Sequence, residues 1–358
     1  MSFYRQLKPL LFKIDPEKAH NLVTKLMSIT PKLHLLESYL VASYCKVYDN
    51  LSQDIHGLHF YNPVGLASGF DKNAEFIRSL AGIGFGFLEL GSITQMPQNG
   101  NPKPRIFRHI EEESMQNAMG FNNIGARGML ANLKKHYPFS IPLGINIGKN
   151  KDLVLSDSLK NYELSLDTLK DHGDYFTFNL SSPNTPNLRD LQNESFVGEL
   201  ISMAREVTNK PLFLKISPDM EVDVMLAVCQ KAIDCGINGI VATNTTIDYN
   251  VIANPIKKND VAIGGISGKA LCEKSRTVLK ILGQNFFGKT TLISLGGISD
   301  ANELYTRLGL GASLVQLMTS FIFHGPSLIA NINKELSHKL EVDGFKSISE
   351  MIGKDISQ

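Results

Sequence analysis

Short apolar runs recur along the chain, and turn residues followed by a helix-like stretch come after each run. Eight of these runs have the composition of buried β-strands, and they lie at residues 63–68, 84–91, 141–148, 174–180, 211–217, 237–244, 290–297 and 312–318. Helical spacing of apolar residues occurs between them, as at 73–81, 126–136, 158–171, 194–206, 222–235 and 301–308. This alternation predicts an α/β fold of the (β/α)₈ type, the TIM barrel.

An open, doubly wound sheet is the alternative arrangement for alternating strands and helices. A dinucleotide-binding sheet of this kind has a glycine-rich turn, G-x-G-x-x-G, after its first strand. This chain has GLASGFDKN at residues 65–73, which does not fit that pattern. The closed barrel is therefore the preferred fold.

Two helical stripes of apolar residues precede the first strand. They consist of Phe3, Leu7, Leu10, Leu11 and Ile14, and of Ala19, Leu22, Val23, Leu26 and Met27. Asp15 is placed to cap the second helix, with Pro16 at its first position. Basic residues outnumber acidic ones here, which is typical of helices lying on an anionic membrane surface. The alternative is a helical hairpin that only stabilises the barrel. We predict two domains, an amphipathic helical domain that contacts a membrane at 1–45 and the barrel at 46–358.

Composition and charge restrict the function classes. The 358 residues, 43% of them hydrophobic, suffice for one large soluble core and a small appendage. A formal net charge of +1 gives no general attraction for nucleic acid. No apolar run is long enough to span a membrane, so we expect peripheral attachment at the cytoplasmic face of the cell membrane. The four cysteines lack metal-ligand spacing, which favours buried free thiols and no metal site.

Polar side chains gather where the predicted strands end, which is the catalytic face of such a barrel. They are Lys72, Asn146, Asn179, Ser181, Ser182, Lys215, Thr243, Asn244 and Thr245. A single Asn, Ser or Thr there has about even odds of being only a helix cap, but the whole set, with two lysines, favours a site. Gly296, Gly297 and Thr319 follow the last two strands, where this fold commonly binds phosphate, so we expect a phosphorylated ligand.

Eight motifs follow one another along the chain in the order ASGFDKN, GNPKPRIFR, NAMGFNN, GINIGKNK, NLSSPNTP, ATNTT, GGISG and SLGGISD. Together they resemble the membrane-associated, quinone-reducing class of the dihydroorotate dehydrogenase family. The resemblance implies oxidation of (S)-dihydroorotate to orotate in de novo pyrimidine biosynthesis, with a proton going to a base and a hydride to flavin mononucleotide (FMN). It also implies that a membrane quinone then takes the electrons. A single phosphate site and the missing dinucleotide turn agree with FMN.

The resemblance assigns roles to individual residues. It makes Ser182 the catalytic base, where the soluble classes of the family usually carry Cys. The substrate residues that it implies are Lys72, Asn117, Ala118, Met119, Gly120, Phe121, Asn179, Asn184, Asn244 and Thr245. The FMN residues are Ser68, Gly69, Phe70, Asp71, Lys72, Ser92, Asn146, Asn179, Lys215, Thr243, Gly268, Gly297, Met318 and Thr319. His20 and Arg108 match residues that meet the quinone, and the resemblance makes the helical domain at 1–45 a membrane and quinone-access domain.

Three positions depart from the pattern of the family. Ala118 stands where Arg is usual, Asn187 where Gly is common, and Met318 where Tyr is usual. Met318 removes a phenol near the flavin, so details of quinone and inhibitor preference do not transfer to this chain. Two other functions remain open, namely another FMN-dependent barrel oxidoreductase of pyrimidines and a non-redox phosphate-binding barrel.

Overall fold

A computed structural model describes residues 3–356 and contains a closed eight-stranded barrel. The strands are β1 (Gln53–Ile55), β2 (Leu58–Phe60), β3 (Val64–Leu66), β4 (Phe87–Ile93), β5 (Ile106–His109), β6 (Ser114–Asn117), β7 (Leu143–Ile147), β8 (Tyr175–Asn179), β9 (Leu212–Ile216), β10 (Gly239–Ala242), β11 (Lys257–Lys258), β12 (Val261–Ala262), β13 (Gly265–Gly268), β14 (Thr291–Leu295) and β15 (Ala312–Leu317). The helices are α1 (Phe3–Leu11), α2 (Pro16–Ile29), α3 (His34–Tyr44), α4 (Ile77–Ala81), α5 (Gly125–Leu133), α6 (Ser158–Leu169), α7 (Glu194–Val207), α8 (Val222–Asp234), α9 (Cys272–Phe286), α10 (Ala301–Gly309), α11 (Thr319–His324), α12 (Ser327–Val342) and α13 (Ile348–Met351).

The barrel consists of the eight strands that the sequence predicts. They pair in parallel in the order β3, β4, β7, β8, β9, β10, β14 and β15, and β15 pairs with β3 to close the barrel. The predicted (β/α)₈ fold is therefore confirmed, and all the strand carboxyl ends meet at one face. The β1–β2 hairpin and the small antiparallel sheet of β5, β6 and β13 were not predicted from the sequence.

Two predicted helices differ from the observed ones by more than two residues at one end. The first was expected at 73–81, but α4 begins only at Ile77. The carboxylate of Asp71 accepts the backbone N–H groups of Glu75 (2.9 Å) and Phe76 (2.8 Å), so a polar turn replaces the first helical turn. The second, expected at 126–136, ends at Leu133 in α5 because a tight turn leads into the next strand.

Aromatic rings fill the amino-terminal end of the barrel and close it to ligands. Phe87 and Tyr175 each lie against a glycine on the neighbouring strand. A Cβ on Gly144 would lie 2.0 Å from the Tyr175 ring, and one on Gly65 would lie 2.3 Å from the Phe87 ring. Alternating small and large residues therefore pack this end to interior density, and the carboxyl-terminal end carries the polar site.

The two predicted N-terminal helices are present as α1 and α2. Asp15 caps α2 by accepting the N–H groups of Glu17 (3.1 Å) and Lys18 (3.0 Å), and Pro16 occupies the first turn, as predicted. The helix α3 was not predicted. Among residues 3–356, no helix has the length and apolar character needed to cross a membrane.

The three N-terminal helices and the segments between them expose many apolar side chains, which we call the outer apolar surface. It consists of Leu7, Leu10, Ile14, Leu22, Leu26, Ile29, Leu33, Leu35, Leu36, Tyr39 and Val41. Leu35 is 91% exposed and Tyr39 is 66% exposed. A surface of this kind marks an interaction site, because soluble proteins rarely leave so many neighbouring apolar side chains in water.

Candidate active site

One cavity of about 620 Å³ extends from the barrel mouth to the space beneath α1 and α2. Its inner part is lined by polar strand-end residues, and its outer part is lined largely by apolar residues of the two helices. The predicted residues that line it are His20, Ser68, Gly69, Phe70, Lys72, Ser92, Arg108, Asn117, Met119, Gly120, Phe121, Asn179, Ser182, Asn184, Lys215, Asn244, Thr245 and Met318. The structure thus brings the three predicted sets, for substrate, cofactor and quinone, into one space.

The other predicted residues lie behind this lining or beside it. They are Asp71, Ala118, Asn146, Thr243, Gly268, Gly297 and Thr319. Asp71 is fully buried, and its side chain caps the turn before α4. Asn146 is also fully buried, and its side chain contacts the cavity-lining residues Ser92 and Asn179. The backbone carbonyl of Ala118 accepts a hydrogen bond from the Asn101 side-chain amide at 3.0 Å.

Side-chain amides and hydroxyls form one connected network at the ends of β4, β7, β8 and β10. The Nδ2 of Asn179 donates to Ser92 Oγ at 3.0 Å and to Asn146 Oδ1 at 3.3 Å. The Oδ1 of Asn179 accepts from Asn244 Nδ2 and from Ser181 Oγ, both at 3.1 Å. The Ser92 hydroxyl donates to Asn146 Oδ1. Each amide therefore has a fixed orientation, which specifies where a ligand meets a donor and where it meets an acceptor.

Glu89 orients this network from one layer deeper in the barrel. It is fully buried on β4, and its carboxylate accepts from Asn146 Nδ2 (2.8 Å), Thr177 Oγ1 (3.0 Å) and Gln316 Nε2 (2.8 Å). Since a carboxylate only accepts, Asn146 must direct its NH₂ group toward Glu89 and its oxygen toward Ser92. Glu89 was not predicted from the sequence. An acidic residue inside the apolar run FGFLELG was the feature that could have indicated a buried functional carboxylate.

Two lysines place positive charge at the inner end of the cavity. Lys215 Nζ donates to Ser68 Oγ at 3.2 Å. Burial lowers the pKa of Lys215 below its usual range, and the charge of Glu89 opposes this shift. Burial, with repulsion by Arg105, lowers the pKa of Lys72 to about 8, and its ammonium donates to a backbone carbonyl at 2.7 Å. Both ammonium groups are short of anionic partners, which favours an anionic or electron-rich ligand.

Glycine turns and a hydroxyl pair lie at the side of the mouth where phosphate was predicted. Gly297 has φ 75°, and a Cβ there would lie 2.5 Å from the Cα of Cys272, so only glycine fits. Thr319 begins α11, and its hydroxyl lies 2.8 Å from that of Ser267. Ser267 lines the cavity but was not predicted, although it directly precedes Gly268 in the GGISG motif.

His20 and Arg108 lie at the outer end of the cavity. The His20 ring packs edge-to-face against Phe70, with ring centroids 5.2 Å apart. Burial, with repulsion by Lys72, lowers the pKa of His20 to about 4, so the imidazole is neutral at pH 7. Arg108 donates to the backbone oxygen of Ile14 at 2.7 Å and thereby also holds the turn between α1 and α2.

The cysteines are all free, but they are less buried than the sequence suggests. Cys229 is buried, whereas Cys45, Cys235 and Cys272 are half-buried. These three lie at helix ends, where the chain approaches the surface. In the range 3–356, no three His, Cys, Asp or Glu side chains are grouped so that they could hold a metal ion.

Known proteins resemble this chain over nearly its whole length. A family model described as dihydroorotate dehydrogenase matches residues 50–340. A protein of Helicobacter acinonychis (strain Sheeba) named dihydroorotate dehydrogenase (quinone) is 50% identical over 353 residues, which is 99% of each chain. A protein of the same name from Nitratiruptor is 46% identical with the same coverage. The crystal structure of DHODH from Eimeria tenella in complex with ferulenol has a TM-score of 0.83 and 30% identity, covering 98% of this chain and 99% of that chain. The crystal structure of ligand-free type DHODH from Eimeria tenella has a TM-score of 0.85 and 33% identity, covering 96% of this chain and 100% of that chain.

Proposed function

Because this chain belongs to the dihydroorotate dehydrogenase family, we propose that the residues of its cavity carry out the two half-reactions of that family. The chain oxidises dihydroorotate to orotate in pyrimidine biosynthesis and reduces a quinone. The resemblance drawn from the motifs is thus confirmed, and the two alternative functions are set aside. The continuous cavity carries the proposal, because it joins a polar inner end to an apolar outer end.

The family depends on a flavin, and we take FMN to be the form that this chain binds. The cavity volume of about 620 Å³ lies within the usual range for cofactor sites. Lys215 fits a flavin because its buried ammonium has one hydroxyl partner and can face an electron-rich ring. The glycine turn at Gly297 and the Ser267–Thr319 pair would hold the phosphate. When bound there, FMN would supply the acceptor for the hydride that leaves C6 of dihydroorotate.

Ser182 is proposed as the base that removes the C5 proton. Its side chain lines the cavity and is 5% exposed. Its Oγ accepts the backbone N–H of Asn184 at 3.3 Å. This contact stabilises the alkoxide that forms when the hydroxyl passes its own proton to a water or threonine relay, and the alkoxide then takes the C5 proton and becomes a hydroxyl again. The surrounding burial excludes bulk water and strengthens that effect.

Four Asn side chains are proposed to hold the pyrimidine ring. Asn179 and Asn244 belong to the amide network, and Asn184 Nδ2 donates to Asn117 Oδ1 at 3.1 Å. The Oδ1 of Asn184 is buried and has no hydrogen-bond partner among the described residues. A buried acceptor of this kind favours a ligand donor, which a ring N–H of dihydroorotate can supply.

We test the cofactor assignment by its colour and its chemistry. The purified protein should show the absorption of an oxidised flavin, and heat should release FMN with one phosphate per flavin. Anaerobic addition of dihydroorotate should bleach this absorption. A flavin with a different phosphate content, or a colourless protein that FMN does not reconstitute, would contradict the FMN assignment.

The outer end of the cavity is proposed to admit the quinone from the membrane. His20 is neutral and can accept or donate one hydrogen bond, and Arg108 is held in place by the α1–α2 turn. The outer apolar surface lies on the same helices and the segments between them. Exposed basic residues occur in this region as well, namely Arg5, Lys13, Lys18, Lys25 and Lys32. The helices would therefore lie in the membrane interface and present the cavity to a lipid-soluble quinone, and we place this contact at the cytoplasmic face.

A vesicle-binding experiment tests the membrane contact. Leu35→Glu should weaken sedimentation with anionic vesicles severalfold, because it places a charge in the outer apolar surface. Val342→Glu is the matched control, since Val342 is 69% exposed on α12 and lies outside that surface. High salt should release part of the wild-type protein, because attraction to anionic lipid contributes about 1 kcal/mol per basic residue. Equal binding by both variants would exclude this surface as the membrane contact.

A further inference from the structure

Arg189 joins the two loops that carry the proposed substrate and base residues. It lies in the loop after β8, and its Nε donates to the backbone oxygen of Ser181 at 3.0 Å. Its Nη2 donates to the backbone oxygen of Thr245, in the loop after β10, at 2.9 Å. One planar guanidinium therefore fixes the distance between these loops.

Asp219 fixes the guanidinium from the loop after β9. Its Oδ2 accepts from Arg189 Nη1 and from the backbone N–H of Ile247, both at 2.9 Å. Its Oδ1 accepts from Thr246 Oγ1 at 2.5 Å and from Lys274 Nζ at 2.7 Å. The Arg189 and Asp219 side chains are only 19% and 12% exposed, so solvent screens this pair less than a surface pair. Three successive barrel loops are thus connected through two side chains.

We propose that Arg189 and Asp219 are positioning residues for dihydroorotate oxidation. The backbone oxygen of Ser181 lies in the same rigid peptide plane as the Cα of Ser182, so Arg189 sets the position of the base. The second carbonyl belongs to Thr245 itself, next to Asn244. This inference rests on the proposed roles of Ser182, Asn244 and Thr245. Neither Arg189 nor Asp219 lines the cavity, so each acts through the residues it holds.

Arg189→Lys separates positioning from charge. Lysine keeps the positive charge, but one ammonium on a flexible stem cannot reproduce three donors in a fixed plane. We expect flavin reduction by dihydroorotate to slow by about tenfold or more, since a displacement of about 1 Å at the reacting groups can cost a hundredfold. Orotate should bind severalfold more weakly by calorimetry, because Thr245 is displaced. Reoxidation of the reduced enzyme by quinone should stay within about twofold of wild type, since that half-reaction does not use these loops.

Arg205→Lys is the matched control. Arg205 also donates to backbone carbonyls, those of Gly236 (2.7 Å) and Lys210 (2.9 Å), but at the amino-terminal end of the barrel. It should leave both half-reactions and orotate binding unchanged. Asp219→Asn provides a second variant that keeps the size of the side chain and removes the charge holding Arg189. Flavin reduction by dihydroorotate should be slower in Asp219→Asn than in wild type, as it is expected to be in Arg189→Lys.

The outcomes are distinct. The proposal is overturned if Arg189→Lys and Asp219→Asn reduce their flavin at the wild-type rate, or if both half-reactions and flavin content fall together in them. The second result would mean that the pair only stabilises the fold. If the wild-type protein itself is not reduced by dihydroorotate, the proposed function fails, and the positioning inference fails with it. Loss in Arg189→Lys with an intact quinone half-reaction supports positioning.

Discussion

Ser182→Ala should slow reduction of the bound flavin by dihydroorotate at least about a hundredfold, which is the usual loss when a positioned general base is removed. The substrate amides remain in place, so the dissociation constant of orotate should change by less than about threefold. Stopped-flow spectroscopy follows the flavin absorption directly and separates this step from quinone reduction. The rate of reoxidation by quinone should be that of wild type.

Ser181→Ala is the matched control, because it removes the adjacent hydroxyl. Ser181 Oγ donates to Asn179 Oδ1 at 3.1 Å and accepts from Asn244 Nδ2 at 2.9 Å, so it serves the amide network. Asn244 retains its second acceptor, Asn179 Oδ1, at 3.1 Å. We therefore expect a moderate effect, mainly on orotate binding. If Ser181→Ala were the slower variant in flavin reduction, the base would have been assigned to the wrong hydroxyl.

The barrel was predictable from the sequence because its strands are buried on both faces. Continuous apolar runs such as IPLGINIG give a strong signal, and their alternation with amphipathic helices leaves few topologies. The short elements around the mouth give no such signal. Strands β5, β6 and β13 have only four residues each, and β13 pairs with a strand that is distant in sequence, as in the pairing of Gly265 with Asn117.

The residues that line the site were easier to predict than those that hold them. Asn179, Asn244 and Lys215 lie at the carboxyl ends of barrel strands, which form the catalytic face of this fold. Glu89 and Arg189 were missed because their importance depends on contacts between segments far apart in the chain. Glu89 has one local signal, an acidic residue inside an apolar run, whereas Arg189 has none. The orientation of Asn146, for example, follows from Glu89 only once the barrel has brought β4 and β7 together. Helix starts were also misjudged where a side chain such as Asp71 replaces helical hydrogen bonds.

The helices α1 and α2 lie over the outer end of the cavity, and ion pairs fix the position of α2. The Glu17 carboxylate on α2 forms ion pairs through Oε1 with Arg105 Nη2 at 2.8 Å and with Lys103 Nζ at 3.0 Å. The Arg105 side chain is 6% exposed, and that of Glu17 is 13% exposed. Because the Arg105–Glu17 pair is largely shielded from water, α2 is held firmly beside the cavity, and its inward side chains would determine the width of the proposed quinone path.

Ala19→Phe should therefore block quinone reduction while sparing the oxidation of dihydroorotate. Ala19 lines the cavity on α2 next to His20 and is 5% exposed, so a phenyl ring there should occupy the space through which the quinone is proposed to pass. We expect reoxidation of the reduced flavin by a short-chain quinone to slow at least about tenfold, as the reactants can no longer approach in the required geometry. Flavin reduction by dihydroorotate should stay within about twofold of wild type, because Ser182 and the amide network lie at the other end of the cavity. Overpacking should cost about 1–3 kcal/mol in unfolding free energy, which thermal unfolding measures independently.

Ala42→Phe is the control, since Ala42 is exposed on α3 and does not line the cavity. If Ala19→Phe is folded and loaded with flavin, yet is reoxidised by quinone as fast as Ala42→Phe, the quinone does not enter beneath α1 and α2.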